Sequence, residues 1–70
     1  MSGVAAEQRM ANDIARNFRH LSPDDAVAAI AGHVSRFWDP RMRVRLLALA
    51  DSGSEGLDPL VTAAAGRLRG

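Results

Sequence analysis

The sequence predicts an all-α fold, a small bundle of three to four short helices. Each of its three prolines follows a residue able to cap a helix: Ser22-Pro23, Asp39-Pro40 and Asp58-Pro59. A Ser or Asp at the N-cap offers an oxygen to the unpaired N–H groups of the first turn, and Pro at the next position loses nothing by lacking a donor. Apolar residues recur between these points at three- and four-residue spacing. No segment alternates as a strand bounded by turns.

The first helix is expected over about residues 4–20, with Met10, Ile14, Phe18 and Leu21 as its apolar face. The second spans 23–37. Asp24 and Asp25 suit the positive end of its dipole. Its stripe is Val27, Ile30, Val34, Phe37 and Trp38, and Ala26, Ala28, Ala29 and Ala31 permit close approach. The third spans 40–50 and carries Met42, Leu46 and Leu49 along one line, with Val44 and Leu47 turned elsewhere. Ser52 to Gly56 form a loop. A fourth helix over 59–68 presents Leu60, Val61, Ala64 and Leu68. The third helix is apolar around much of its circumference, and such a helix is usually covered on more than one side. In a chain of 70 residues the second cover is expected from another molecule.

Twenty large apolar side chains close only a modest core. There is no Cys, which excludes disulfides and thiolate metal sites. Every basic side chain is Arg, and nine Arg against eight carboxylates leave a net charge of +1, too little for a long-range field. No apolar run approaches the ~20 residues of a membrane span, and the basic segment and apolar core of a secretory signal are missing. The expected setting is cytoplasmic.

Chemical density concentrates in residues 33–43. This stretch holds the only Trp, one of the two Phe, one of the two His and three of the nine Arg. Rigid aromatics and forked Arg at a corner between two helices are the residue types that interfaces enrich. Trp38 has two placements open, core or interface anchor. His33 falls in phase between Ile30 and Phe37, as a packed structural or interface histidine. Arg41 and Arg45 share one side of the third helix, and Arg43 lies roughly opposite. These guanidinium groups read either as a solvated face paired by Asp39 and Asp51 or as a docking surface. Asp24, Asp25, Asp39, Asp51, Glu55 and Asp58 dilute any stripe suited to nucleic acid.

Catalysis finds no support. His20 and His33 lie on different expected helices, no nucleophile sits in an elbow or glycine-rich setting, and two His without Cys give no metal ligand set.

Three segments carry a family resemblance. They are Arg9-Met10-Ala11-Asn12-Asp13-Ile14-Ala15-Arg16, the block His33 through Arg43 with its Phe-Trp-Asp-Pro-Arg-Met-Arg string, and Gly56-Leu57-Asp58-Pro59-Leu60-Val61. In matching order, from about residue 9 to residue 68, the chain resembles the delta subunit of NAD-dependent formate dehydrogenases. Asn17 departs from the family's pattern, where a second aromatic beside Phe18 is the rule.

The resemblance implies a cofactor-free, non-catalytic accessory subunit within a complex of alpha, beta and gamma subunits. The alpha subunit would carry bis-molybdopterin guanine dinucleotide with molybdenum or tungsten, and iron–sulfur clusters. FMN, further clusters and the NAD site would belong to other partners. The expected role is binding the alpha subunit and supporting assembly or stability of the holoenzyme, with no nucleic acid or membrane partner. The expected partner-binding residues are His33, Arg36, Phe37, Trp38, Arg41, Met42 and Arg43, with Asn12 and Arg16 as weaker candidates. Two rivals rest on other logic. A free-standing nucleic-acid-binding domain would lose its ligand steeply as salt rises. A chaperone for the molybdenum cofactor would be absent from the purified active enzyme.

Overall fold

The computed structural model describes residues 3–53 and 55–69. It contains four helices, α1 (Gly3–Asn17), α2 (Pro23–Phe37), α3 (Pro40–Asp51) and α4 (Pro59–Arg69), and no strand among the described residues. Prolines open α2, α3 and α4, and the residue before each is a working cap. Ser22 Oγ accepts from the Asp25 N–H at 3.3 Å, and Asp39 Oδ1 accepts from the Met42 N–H at 2.9 Å. Asp58 Oδ1 accepts from the Leu60 N–H at 2.9 Å, while its carbonyl accepts from Val61 and Thr62.

α1 stops at Asn17, three residues before the expected end. There the ladder tightens, with Phe18 N–H donating to the Ala15 carbonyl and Arg19 N–H to that of Arg16. These three-residue bonds wind the chain down ahead of Ser22-Pro23, where the residue before proline resists helical dihedrals. α3 ends at Asp51 with Ser52 as its C-cap, followed by Gly53 at φ +72°, the left-handed conformation that glycine adopts without steric penalty. Ser54 of the expected loop lies outside the described residues.

α2 packs chiefly against α4, and α1 against α3. Ile30, Val34, Leu46 and Val61 are the largest fully buried side chains. Around them, Ala11, Ala15, Ala26, Ala31, Ala64 and Ala65 are buried as well. Small side chains let helix axes approach closely, so a limited stock of large residues suffices.

The inner face of α1 differs from the expected one. Glu7, Ala11 and Ala15 face inward at i, i+4 and i+8, Ile14 and Phe18 pack at the flanks, and Met10 is 43% exposed. The alanines bring α1 too close for larger side chains to fit beneath it, so these are pushed to its edges. Glu7 is buried. One of its carboxylate oxygens lies 3.4 Å from the Arg45 guanidinium, and the other has no hydrogen-bond partner among the described residues.

Asn12 joins the two ends of the chain. Its Nδ2 donates to the Gly56 carbonyl at 2.7 Å, and its Oδ1 accepts from the Asp58 N–H at 2.9 Å. A Cβ at Gly56 would meet the amide end of the Gln8 side chain, which would have to shift. Arg19 adds an ion pair to Asp58 at 2.6 Å.

Burial pushes the Asp58 carboxyl up, but the Leu60 N–H and the Arg19 guanidinium outweigh it and hold the group below the ordinary Asp value. Its folded pKa therefore lies below its unfolded one. The stabilisation is fully present above about pH 4 and is lost as pH falls through the lower, folded value. Thermal melts from pH 7 to pH 2 should show wild type losing more melting temperature below pH 4 than Asp58→Asn. Parallel curves would remove Asp58 as the source of acid sensitivity.

Candidate docking surface

The structure places Trp38 in the core. Its ring is 6% exposed and belongs to the same cluster as Ile30, Val34, Leu46 and Val61. Trp38 is the C-cap residue of α2, in extended conformation, and its N–H still donates to the Val34 carbonyl. Its burial at the turn between α2 and α3 fixes how the two helices meet. Of the two placements the sequence leaves open, core or interface anchor, the fold of the chain takes the core, because its own helices cover the ring. Met42 is partly buried and packs against the same cluster.

Phe37 goes the other way and is 69% exposed. It shares an azimuth with Ile30 but stands about 10 Å farther along the axis, and the apolar stripe of α2 runs past the helices that cover it. The His33 ring stands beside it, with centroids 4.8 Å apart and planes tilted by 44°. His33, Arg36 and Phe37 line a shallow trough with Phe18, Ala29 and Gly32.

A second exposed region lies on α3. Val44 is 64% exposed and, with Pro40, is common to two further troughs. One is continued by Ser35, Arg43, Leu47 and Leu68, the other by Arg41 and Arg45. Ser35 lies about 160° around α2 from Phe37, so the first of these troughs opens on a different side of the molecule. The block 33–43 is therefore two surfaces with Trp38 buried between them. The structure brings together His33, Arg36 and Phe37, and sets Arg41 and Arg43 apart on opposite flanks of α3.

The acidic partners expected for the Arg cluster are engaged elsewhere. Asp51 pairs with Arg69, and Asp39 accepts the Met42 N–H, while Arg45 of the cluster pairs with Glu7 instead. Among the described residues, no hydrogen bond or ion pair holds the side chain of Arg36, Arg41 or Arg43. Asn12, a weaker candidate for outside contact, is committed to Gly56 and Asp58. Arg16 makes a loose, exposed pair with Asp13 at 3.6 Å. Sequence reasoning did not single out Val44 as a site residue. The available signal was its place off the Met42–Leu46–Leu49 line.

Among the described residues, no group of three His, Asp or Glu side chains could hold a metal ion, and no helix is long and apolar enough to cross a membrane. Residues 9–65 match the family described as NADH-dependent formate dehydrogenase delta subunit FdsD. No curated protein and no solved structure matches the chain.

Proposed function

The chain belongs to the family of NADH-dependent formate dehydrogenase delta subunits, and from that membership we propose that it is a non-catalytic accessory subunit that docks on the alpha subunit and supports holoenzyme assembly or stability. The observation that carries this reading is the pair of bare apolar side chains, Phe37 and Val44, on a chain of this size. Both stand beside Arg residues that no carboxylate of the described chain pairs. Exposed apolar area rimmed by polar groups is the signature of a protein contact.

In this reading Phe37 fills an apolar pocket of the partner and His33 holds the ring in place. Arg36, Arg41 and Arg43 donate charge-assisted hydrogen bonds to partner carboxylates or carbonyls. Trp38 and Met42 act from within by fixing the angle of the corner. The chain contributes no redox group. Molybdopterin, iron–sulfur clusters, FMN and the NAD site are assigned to the other subunits, in a cytoplasmic complex.

A tagged chain drawn from its native cell tests this. The alpha, beta and gamma subunits should accompany it in constant ratio, and recovery should fall far less steeply with salt than that of a phosphate binder, because the apolar part of the interface is not screened. Formate dehydrogenase subunits absent from the eluate, or this chain found with them only during cofactor loading and missing from the active enzyme, would defeat the proposal.

A further inference from the structure

We propose that α3 is a second docking element, a ridge of Pro40 and Val44 that seats in an apolar cleft bordered by carboxylates on the partner subunit. The inference rests on the docking function above and adds to it the place and the chemistry of one contact. On a helical wheel Pro40 and Val44 lie about 40° apart and form one outward line. Arg41 stands about 60° to one side of Val44 and Arg43 about 100° to the other. A trough runs along each flank, and both troughs have Pro40 and Val44 in their walls. The complement of such a surface is a cleft with an apolar floor and an acidic lip on each side.

Charge selects the occupant. The nearby carboxylates are taken by Arg69, by Arg45 and by the α3 cap. Arg41 and Arg43 therefore keep their full charge for an outside acceptor. A second copy of the chain is a poor fit, since a two-fold contact through this ridge sets Arg41 and Arg43 against their own images. A phosphate backbone is also a poor fit, because a bare valine crest separates the two cations.

The test is the same native pull-down, made with variants that leave the fold intact. Val44 and Arg41 are exposed, Arg43 is partly so, and neither guanidinium is held by a bond among the described residues. Arg41→Glu/Arg43→Glu should reduce recovery of the dehydrogenase subunits at least about tenfold, since like charges facing across an interface suppress association. Val44→Asp should do the same by burying a charge in the cleft. Arg41→Lys/Arg43→Lys, which keeps the charge, should retain most of the binding. Circular dichroism melts of all three should match wild type.

Wild type that recovers the complex while both the reversal and Val44→Asp recover it equally overturns the ridge and leaves the accessory-subunit reading standing. Wild type that recovers no dehydrogenase subunit overturns both. Two outcomes would assign the ridge to another occupant: a dimer of the isolated chain that Val44→Asp splits, and recovery that nuclease abolishes.

Discussion

Trp38→Ala is expected to remove a large part of the chain's stability. Removing a buried aromatic costs about 3–5 kcal/mol, the lost transfer energy plus the cavity left behind. A domain of 70 residues has roughly 4–10 kcal/mol in total at the usual stability per residue. Little fills the void here, because the buried cluster that holds Trp38 is rich in small alanines on helices packed against one another. Each kcal/mol shifts the melting temperature of a domain this size by about 4–8 °C. The thermal transition should therefore fall by at least about 12 °C or vanish. Phe37→Ala, at a ring that is mostly solvent-exposed, should stay within about 0.5 kcal/mol of wild type. The contrast has a practical use. A Trp38 variant that fails to join a complex reports on folding, whereas a Phe37 variant that fails reports on the interface. Equal melting curves for Trp38→Ala and wild type would place the ring outside the core.

The second large effect is expected at Asn12. Its side chain makes two hydrogen bonds to residues 44 and 46 positions away, one of them to the N–H of the residue that caps α4. Asn12→Ala leaves the Asp58 N–H and the Gly56 carbonyl without their partners. The Asp58 side chain is only 8% exposed, so water reaches that N–H poorly, whereas the exposed Gly56 carbonyl turns to solvent. A buried group left unsatisfied costs about 1–3 kcal/mol. The expected result is a melting temperature lower by roughly 5–15 °C and faster amide exchange at Asp58 and the first turn of α4. Asn12→Asp separates the two bonds. It keeps an acceptor for the Asp58 N–H, cannot donate to Gly56, and brings a second carboxylate near Asp58. It should be no more stable than Asn12→Ala if like-charge repulsion near Asp58 matches the bond retained. Unchanged urea midpoints for both variants would mean that solvent replaces the bonds.

Asn12 also marks where sequence reasoning stops. As a residue type on an expected helix it reads as a surface polar group, and nothing local announces a partner 44 residues away. The helix starts are the opposite case. Ser22, Asp39 and Asp58 each cap the adjoining helix through bonds spanning two to four residues, so the sequence contains both ends of each interaction. The stripe of α2 was legible as a stripe, and Ile30 and Val34 lie on it fully buried. That Phe37 escapes cover while sharing their azimuth depends on how far along α2 the covering helices reach, a property of the assembled bundle.

The same division holds for the candidate site. The gathering of aromatics and Arg in residues 33–43 is visible in the linear chain, and so is the likeness to the delta-subunit family that residues 9–65 now establish. The split of that block into a Phe37 surface and a Pro40–Val44 ridge is not visible, because it depends on Trp38 turning inward at the junction of α2 and α3. Capping, helical periodicity, the lack of Cys and the family pattern are properties of neighbours along the chain, and the sequence alone determined them. Which apolar residues are left bare, and which carboxylates are already taken by Arg19, Arg45 and Arg69, are properties of neighbours in space. Only the tertiary structure decided those, because each pairing closes across 18 to 39 positions that no local rule connects.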